Sequence, residues 1–137
     1  LRDIIIPVRS LNALQSIRPR FEEITEISRE YGTVGYHVFT LETLSKGNTA
    51  HCRNFAPLYD ISEEAATGTS NGALACYLLC HKLVPGVGRT FAFEQGYIMG
   101  SPSEILAAIE RCGDIFRRVQ VGGRALAVGE CSLEVNH

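Results

Sequence analysis

The longest uninterrupted feature of the chain is the absence of charge between Ala65 and Cys80, ending in the apolar run Ala73-Leu74-Ala75-Cys76-Tyr77-Leu78-Leu79-Cys80. A surface helix carries one polar face, so a segment apolar all round predicts a helix enclosed by other structure. That helix should be central. Thr67, Thr69, Ser70 and Asn71 stand at its beginning, and each is a residue type that accepts hydrogen bonds from the first free amides of a helix. The pattern leaves open which of them is the cap.

The rest of the chain reads as strands and short helices around this element. Asp3 to Val8 is β-branched and bounded by Pro7, which predicts a strand with both faces buried. Leu11 to Ile17 is a helical turn ended by Arg18-Pro19. Phe21 to Tyr31 has helical spacing, with Phe21, Ile24, Ile27 and Tyr31 facing inward and Gly32 as the stop. Val34 to Thr43 and Ala50 to Ala56 are expected to be two strands of a hairpin turning at Ser45-Lys46-Gly47-Asn48. Pro57 to Asn71 is then a long loop, of the kind that carries function. Beyond Pro85 the pattern is strand: Arg89 to Gln95, then Ile105 to Ile109, for which a helix over Ser103 to Glu110 is the rival reading. Ile115 to Val121 and Arg124 to Glu130 form a last hairpin turning at Gly122-Gly123. The sum is an α+β fold, a single domain over residues 1–137, in which a mostly antiparallel sheet surrounds one apolar helix.

Composition narrows the class. A chain of 137 residues is one domain by size and buries about two-thirds of its unfolded surface. Hydrophobic residues at 45%, charged residues at 20% and a net charge of -2 describe a globular protein with no basic strip for nucleic acid. No apolar run reaches the length of a membrane span, Leu1 to Val8 is too short and charged for a signal peptide, and the expected compartment is the cytoplasm. The five cysteines are odd in number and lack a Cys-x-x-Cys pair, so they read as buried reduced thiols, with Cys76 and Cys80 as packing residues of the helix. The four histidines are scattered, and neither a metal site nor a cofactor is expected.

Candidate chemistry concentrates at the helix start. Unpaired amides and the positive end of the helix dipole make a seat for a carboxylate or phosphate, and Glu63 or Glu64 could approach a ligand held there. The bland alternative is an ordinary capped core helix with two solvated acids before it. Nucleotide binding through Gly68 and Gly72 is disfavoured by the missing P-loop lysine, and Gly86-x-Gly88 lacks the helix that a dinucleotide fingerprint requires.

Four motifs then agree. Arg53-Asn54-Phe55-Ala56-Pro57, Glu63-Glu64-Ala65-Ala66-Thr67-Gly68-Thr69-Ser70, Gln95-Gly96-Tyr97-Ile98-Met99-Gly100-Ser101-Pro102-Ser103 and Val121-Gly122-Gly123-Arg124-Ala125 resemble the phenazine-biosynthesis PhzF family in order and spacing. The resemblance implies a diaminopimelate-epimerase-like fold of two similar domains, each a sheet rolled around a central helix, with the active site between the helix starts. This chain would be the second, carboxy-terminal half. The resemblance further implies a cofactor-independent isomerase acting on a small carboxylic acid, with a general acid/base glutamate supplied by the other half. The family pattern Glu-Asp-Pro-Ala-Thr-Gly-Ser falls on Glu63 to Thr69, so Glu64 and Thr69 take the catalytic positions and Thr67, Gly68, Ser70 and Asn71 the substrate-binding ones. Glu64 is one methylene longer than the family's aspartate, Ala65 replaces a stiffening proline, and Ser101 stands where many relatives have arginine. Thr67 occupies the place of the cysteine that sister racemases use, which removes two-thiol racemisation.

Two expectations follow. One is an isomerase half-site, completed by a complementary N-terminal half. The other is a non-catalytic binding or assembly module that keeps the fold and self-associates through the surface its partner domain would cover.

Overall fold

The computed structural model describes residues 2–85, 90–113, 115–125, 127 and 129–132. Seven strands form one curled sheet: β1 (Ile4–Pro7), β2 (Tyr36–Thr40), β3 (Ala50–Ala56), β4 (Ile61–Glu64), β5 (Thr90–Gln95), β6 (Ser103–Cys112) and β7 (Ile115–Gly123). Helices α1 (Leu11–Ser16), α2 (Phe21–Tyr31) and α3 (Gly68–Cys80) complete an α+β architecture. The strand order is β1-β2-β3-β5-β6-β7 with β4 branching from β3. Most pairings are antiparallel; β1 with β2 and β3 with β5 are parallel.

β3 is the hub. All of its residues are buried, and its backbone is paired on both sides: β2 runs along one edge, while β5 takes Ala50 to Cys52 and β4 takes Asn54 and Ala56 on the other. Because successive side chains of a strand point to opposite faces, β2 and β3 feed two separate cores. Phe39, Ala50 and Cys52 join Leu74, Ala75, Leu78, Phe91, Phe93 and Ile105 beneath α3. Tyr36, Val38 and Phe55 join Leu14 beneath α1, with Ile24 of α2 packed against them.

Arg53 projects to the α1 side and ties three elements together. Its Nε and Nη2 donate to Glu63 Oε1 and Oε2, each at 2.8 Å, and its Nη1 donates to the carbonyls of Leu14 and Ile17 at 3.1 and 3.0 Å. A buried guanidinium is tolerated because every face of the fork meets an acceptor. Glu94 has the same role on β5. Its fully buried carboxylate accepts from the amides of Leu44 and Ser45, from Asn48 Nδ2 and from His51 Nδ1, which binds the β2–β3 connection to the sheet. Burial pushes the Glu94 carboxyl up, but these four hydrogen bonds outweigh it and hold the group below its ordinary value.

Several expectations are corrected. The segment Pro57 to Asn71 is not an open loop: it holds a single 3-10 turn at Pro57–Tyr59, then β4, then the first turn of α3. β4 forms there because β5 leaves the second half of the β3 edge unpaired. The second strand is shorter than Val34 to Thr43, and β1 is only half-buried because it is an edge. α2 has the expected limits but rolls so that Ile24 and Ser28 face inward, leaving Phe21, Ile27 and Tyr31 exposed. The strand expected over Ile105 to Ile109 is present and longer, Ser103–Cys112, with Ile105, Ala107 and Ile109 buried in alternation, and the rival helix is not found there. β7 continues through Gly122 and Gly123 as one strand paired with β6, so the last hairpin turns before β7 and not after it. The expected strand at its end partly falls on residues 126 and 128, which lie outside the described residues. α3 is buried along Ser70, Asn71, Leu74, Ala75, Leu78 and Leu79, while Thr69, Ala73 and Cys80 are exposed. The helix is therefore covered by the sheet on one side only, and Cys80 is not a packing residue.

Replacing Arg53 by alanine leaves the largely buried Glu63 carboxylate without its cation and takes one donor from each of the Leu14 and Ile17 carbonyls; the expected loss is about 3–5 kcal/mol, read by urea denaturation, with Arg53→Lys failing to restore it. Stability should also fall in acid through Glu94. Its folded pKa lies below the ordinary value of 4.5, so the contribution is complete above that pH, and it is lost as the pH drops below it and the unfolded chain takes up the proton first. Denaturation midpoints measured from pH 7 to pH 3 should flatten in Glu94→Gln; an unchanged slope would remove this carboxylate as the cause.

Candidate functional site

The site begins where β4 hands the chain to α3. Glu64 ends the strand and lies beside Asn54 in the sheet register, Ala65 and Ala66 make the crossing, and Thr67 is the N-cap residue. The crossing is held close to the β5–β6 turn. Gly96 has a φ of +81°, and a side chain there would press within 2.8 Å of the Ala65 carbonyl and into that of Ser101. Only glycine fits. Ser103 Oγ donates to the same Ala65 carbonyl at 2.6 Å.

A chain of buried side chains then fixes the helix start. Gln95 uses its whole amide: Nε2 donates to the Glu64 carbonyl at 2.6 Å and to Thr67 Oγ1 at 2.9 Å, while Oε1 accepts from the Thr67 amide and from Asn71 Nδ2. Asn71 Nδ2 also donates to the Thr67 carbonyl, and Asn71 Oδ1 meets His37 Nε2 at 3.3 Å. His37 Nδ1 meets Asn54 Oδ1 at 3.1 Å. His37, Asn71 and Gln95 are wholly buried. Burial pushes the His37 imidazole below its ordinary value, against the hydrogen bonds to Asn54 and Asn71 and the negative charge of Asp3.

This chain starts and ends in the wall of one cavity. The hollow has a volume of about 390 Å³ and is lined by Asp3, Gly35, Asn54, Glu64, Thr67, Gly68, Thr69, Ser70 and Val121 among others. Thr67 Oγ1 donates to Glu64 Oε2 at 2.6 Å, which orients the carboxylate; Glu64 Oε1 makes no hydrogen bond among the described residues. The side chain of Thr67 does not cap the helix, and the first intrahelical bond runs from the Asn71 amide to the Thr67 carbonyl. The amides of Gly68, Thr69 and Ser70 therefore precede the helix ladder at the cavity wall, where the dipole is positive. Gly72 lets β7 lie over this turn, since a side chain there would stand 3.1 Å from both Val119 and Val121.

A larger hollow of about 530 Å³ lies between α2 and Pro57 to Ser62, lined by Phe21, Glu22, Glu26, Arg29 and Asp60. The first turn of α2 borders it but the buried polar chain does not, and the candidate site is the smaller cavity.

The expected site residues separate cleanly. Glu64, Thr67, Gly68, Thr69 and Ser70 all line the cavity. Thr67 is engaged by both Glu64 and Gln95, so it positions the carboxylate. Asn71 lies behind the wall, its amide taken up by Thr67, Gln95 and His37. Glu63 is paired with Arg53 on the opposite face of the sheet. Cys76 is half-buried, its thiol pushed up by burial and by the neighbouring Cys80. Among the described residues no group of three His, Cys, Asp or Glu side chains is placed to share an ion, and no helix is long and apolar enough to cross a membrane. Four residues were not singled out by sequence reasoning as site residues: Asp3, His37, Asn54 and Gln95. Asn54 and Gln95 lie in motifs that carried the family resemblance, but their spacing along the chain does not reveal that they share one network.

An uncharacterized isomerase of Deinococcus radiodurans is 32% identical over 91% of this chain and 40% of its own length. The trans-2,3-dihydro-3-hydroxyanthranilate isomerase of Pseudomonas aeruginosa is 28% identical over 94% of this chain and 43% of its own. The crystal structure of a PhzF-family phenazine biosynthesis protein from Bacillus anthracis matches the fold with a TM-score of 0.67 at 21% identity, over 85% of this chain and 40% of that one. The chain thus spans less than half the length of these relatives. With the model of the phenazine biosynthesis-like proteins matching residues 1–131, the chain belongs to the PhzC-PhzF family.

Proposed function

We propose that the chain is the second half of a cofactor-independent isomerase that moves a proton between carbons of a small carboxylic acid. The observation that carries this reading is the meeting, in one cavity, of an uncapped helix start with the oriented carboxylate of Glu64. The ligand's carboxylate docks against the amides of Gly68, Thr69 and Ser70, where the helix dipole favours negative charge. Glu64 orients a hydroxyl or amine of the ligand through Oε1, and Thr69, exposed at the rim, offers a hydroxyl beside it. The group that transfers the proton comes from a complementary N-terminal half, because proton transfer needs a base within hydrogen-bond reach of the reacting carbon. The same half would close over the open side of α3, making it the central helix of a rolled sheet.

A second reading, a binding or assembly module without chemistry, is favoured by the surface left open. Thr69, Ala73 and Cys80 of α3 are exposed, and the inward-facing Val119 and Val121 are 44% and 46% exposed. Uncovered apolar surface of this kind draws a second copy when no other half is present.

Solvent deuterium exchange into cyclohexadiene and amino-acid-like acids, trans-2,3-dihydro-3-hydroxyanthranilate first among them, decides the first reading. With both halves present, exchange is expected, and Glu64→Ala should slow it by about a hundredfold or more; no exchange with any acid, or exchange indifferent to the substitution, sinks the proposal. Native mass measurement should find this chain either with a second polypeptide or as a homo-oligomer. A monomer at high concentration that binds no hydrophobic dye would contradict both arrangements.

A further inference from the structure

The cavity contains a second carboxylate that the proposed chemistry does not use. Asp3 stands just before β1, and its side chain reaches the helix start: Oδ2 accepts from Ser70 Oγ at 2.6 Å and Oδ1 accepts from the Gly35 amide at 3.1 Å. Those two donors, from α3 and from the residue preceding β2, hold it in one orientation at the cavity wall. A side chain on Gly35 would come within 3.1 Å of Asp3 Oδ1, so the bare backbone at that position leaves room for the carboxylate. Among the described residues no lysine or arginine lines this cavity, while Asp3 and Glu64 both do. The helix start attracts one anionic group, and the two acids oppose a second one.

We propose that Asp3 is a specificity-determining residue that restricts the cavity to acids carrying one carboxylate and a nearby amine or other hydrogen-bond donor, and turns away dicarboxylates. This rests on the reading of the helix start as the carboxylate seat. Each carboxylate oxygen of Asp3 keeps a lone pair beyond the hydrogen bond it already accepts. A donor or cation on the ligand can therefore share it with no rearrangement of Ser70 or Gly35. A second carboxylate placed there meets a like charge at short range in a partly enclosed space, where water screens poorly.

The test uses the full chain labelled with nitrogen-15, and follows amide shifts of Gly68, Thr69 and Ser70 during titration with three acids on the same ring. These are trans-2-aminocyclohexanecarboxylate, cyclohexanecarboxylate and cyclohexane-1,2-dicarboxylate. On the wild-type chain the amino acid should bind most tightly and the diacid most weakly. Asp3→Asn keeps an acceptor for the Gly35 amide and a hydrogen bond to Ser70 but removes the charge. It should raise the affinity of the diacid about tenfold and of the plain acid about threefold, while weakening the amino acid. All three probes weakening together would mean that Asp3 is only structural, and would overturn the inference, as would equal binding of the three acids to the wild-type chain. Shifts at Gly68 to Ser70 with a ranking indifferent to Asp3→Asn overturn the role of Asp3 alone. Absence of any shift at those amides overturns both this inference and the carboxylate seat on which it rests.

Discussion

The arrangement of the site depends on one run of buried hydrogen bonds, from Asn54 through His37, Asn71, Gln95 and Thr67 to Glu64. Each member is an amide, an imidazole or a hydroxyl taken out of water, and an unpaired group there costs about 1–3 kcal/mol. Gln95 escapes that cost by using both amide hydrogens and accepting twice on its oxygen. The consequence is rigidity. Because its members engage one another across the sheet, the network has few alternative arrangements, so the start of α3 is tied to β2, β3 and β5 at once. The Glu64 carboxylate inherits that order through a single hydroxyl.

The two faces of the sheet divide the acids that precede the helix. Glu63 and Glu64 are neighbours in β4, and adjacent residues of a strand point to opposite sides. Glu63 meets Arg53 beneath α1 and serves the fold. Glu64 meets Thr67 at the cavity, and its other oxygen makes no hydrogen bond among the described residues. Two identical side chains thus carry different work because of strand geometry alone. A loop in the same place would not have forced the division.

Glycine sets how near the parts of the site stand. At Gly96 the positive φ and the nearby carbonyls of Ala65 and Ser101 bring the β5–β6 turn against the crossing that precedes α3. At Gly72 the missing side chain brings β7 onto the helix, so that Val121 becomes part of the cavity wall. Backbone approach of this kind leaves the first amides of α3 beside a shaped space.

Much of the local structure was legible in the residues themselves. The limits of α2 and β3, the strand over Ile105 to Ile109 and the existence of α3 follow from spacing and stop signals, which are properties of a few neighbouring residues. The helix start was legible for the same reason, the residues alone left Glu63 and Glu64 undivided, and the motifs around Arg53, Gly68, Gln95 and Gly122 were enough to indicate the family. Partners distant in the chain were not. That Gln95 meets Thr67, that Asp3 meets Ser70 across 67 positions, and that Glu63 turns away from the site all depend on strand order and face. The exposure of one side of α3 was equally hidden: an apolar sequence records what a helix can bury, whereas the sheet that reaches it decides what it does bury. Local propensity is written in adjacent residues, but hydrogen bonds between remote strands exist only after the sheet has closed, and the wall of this cavity is held by those.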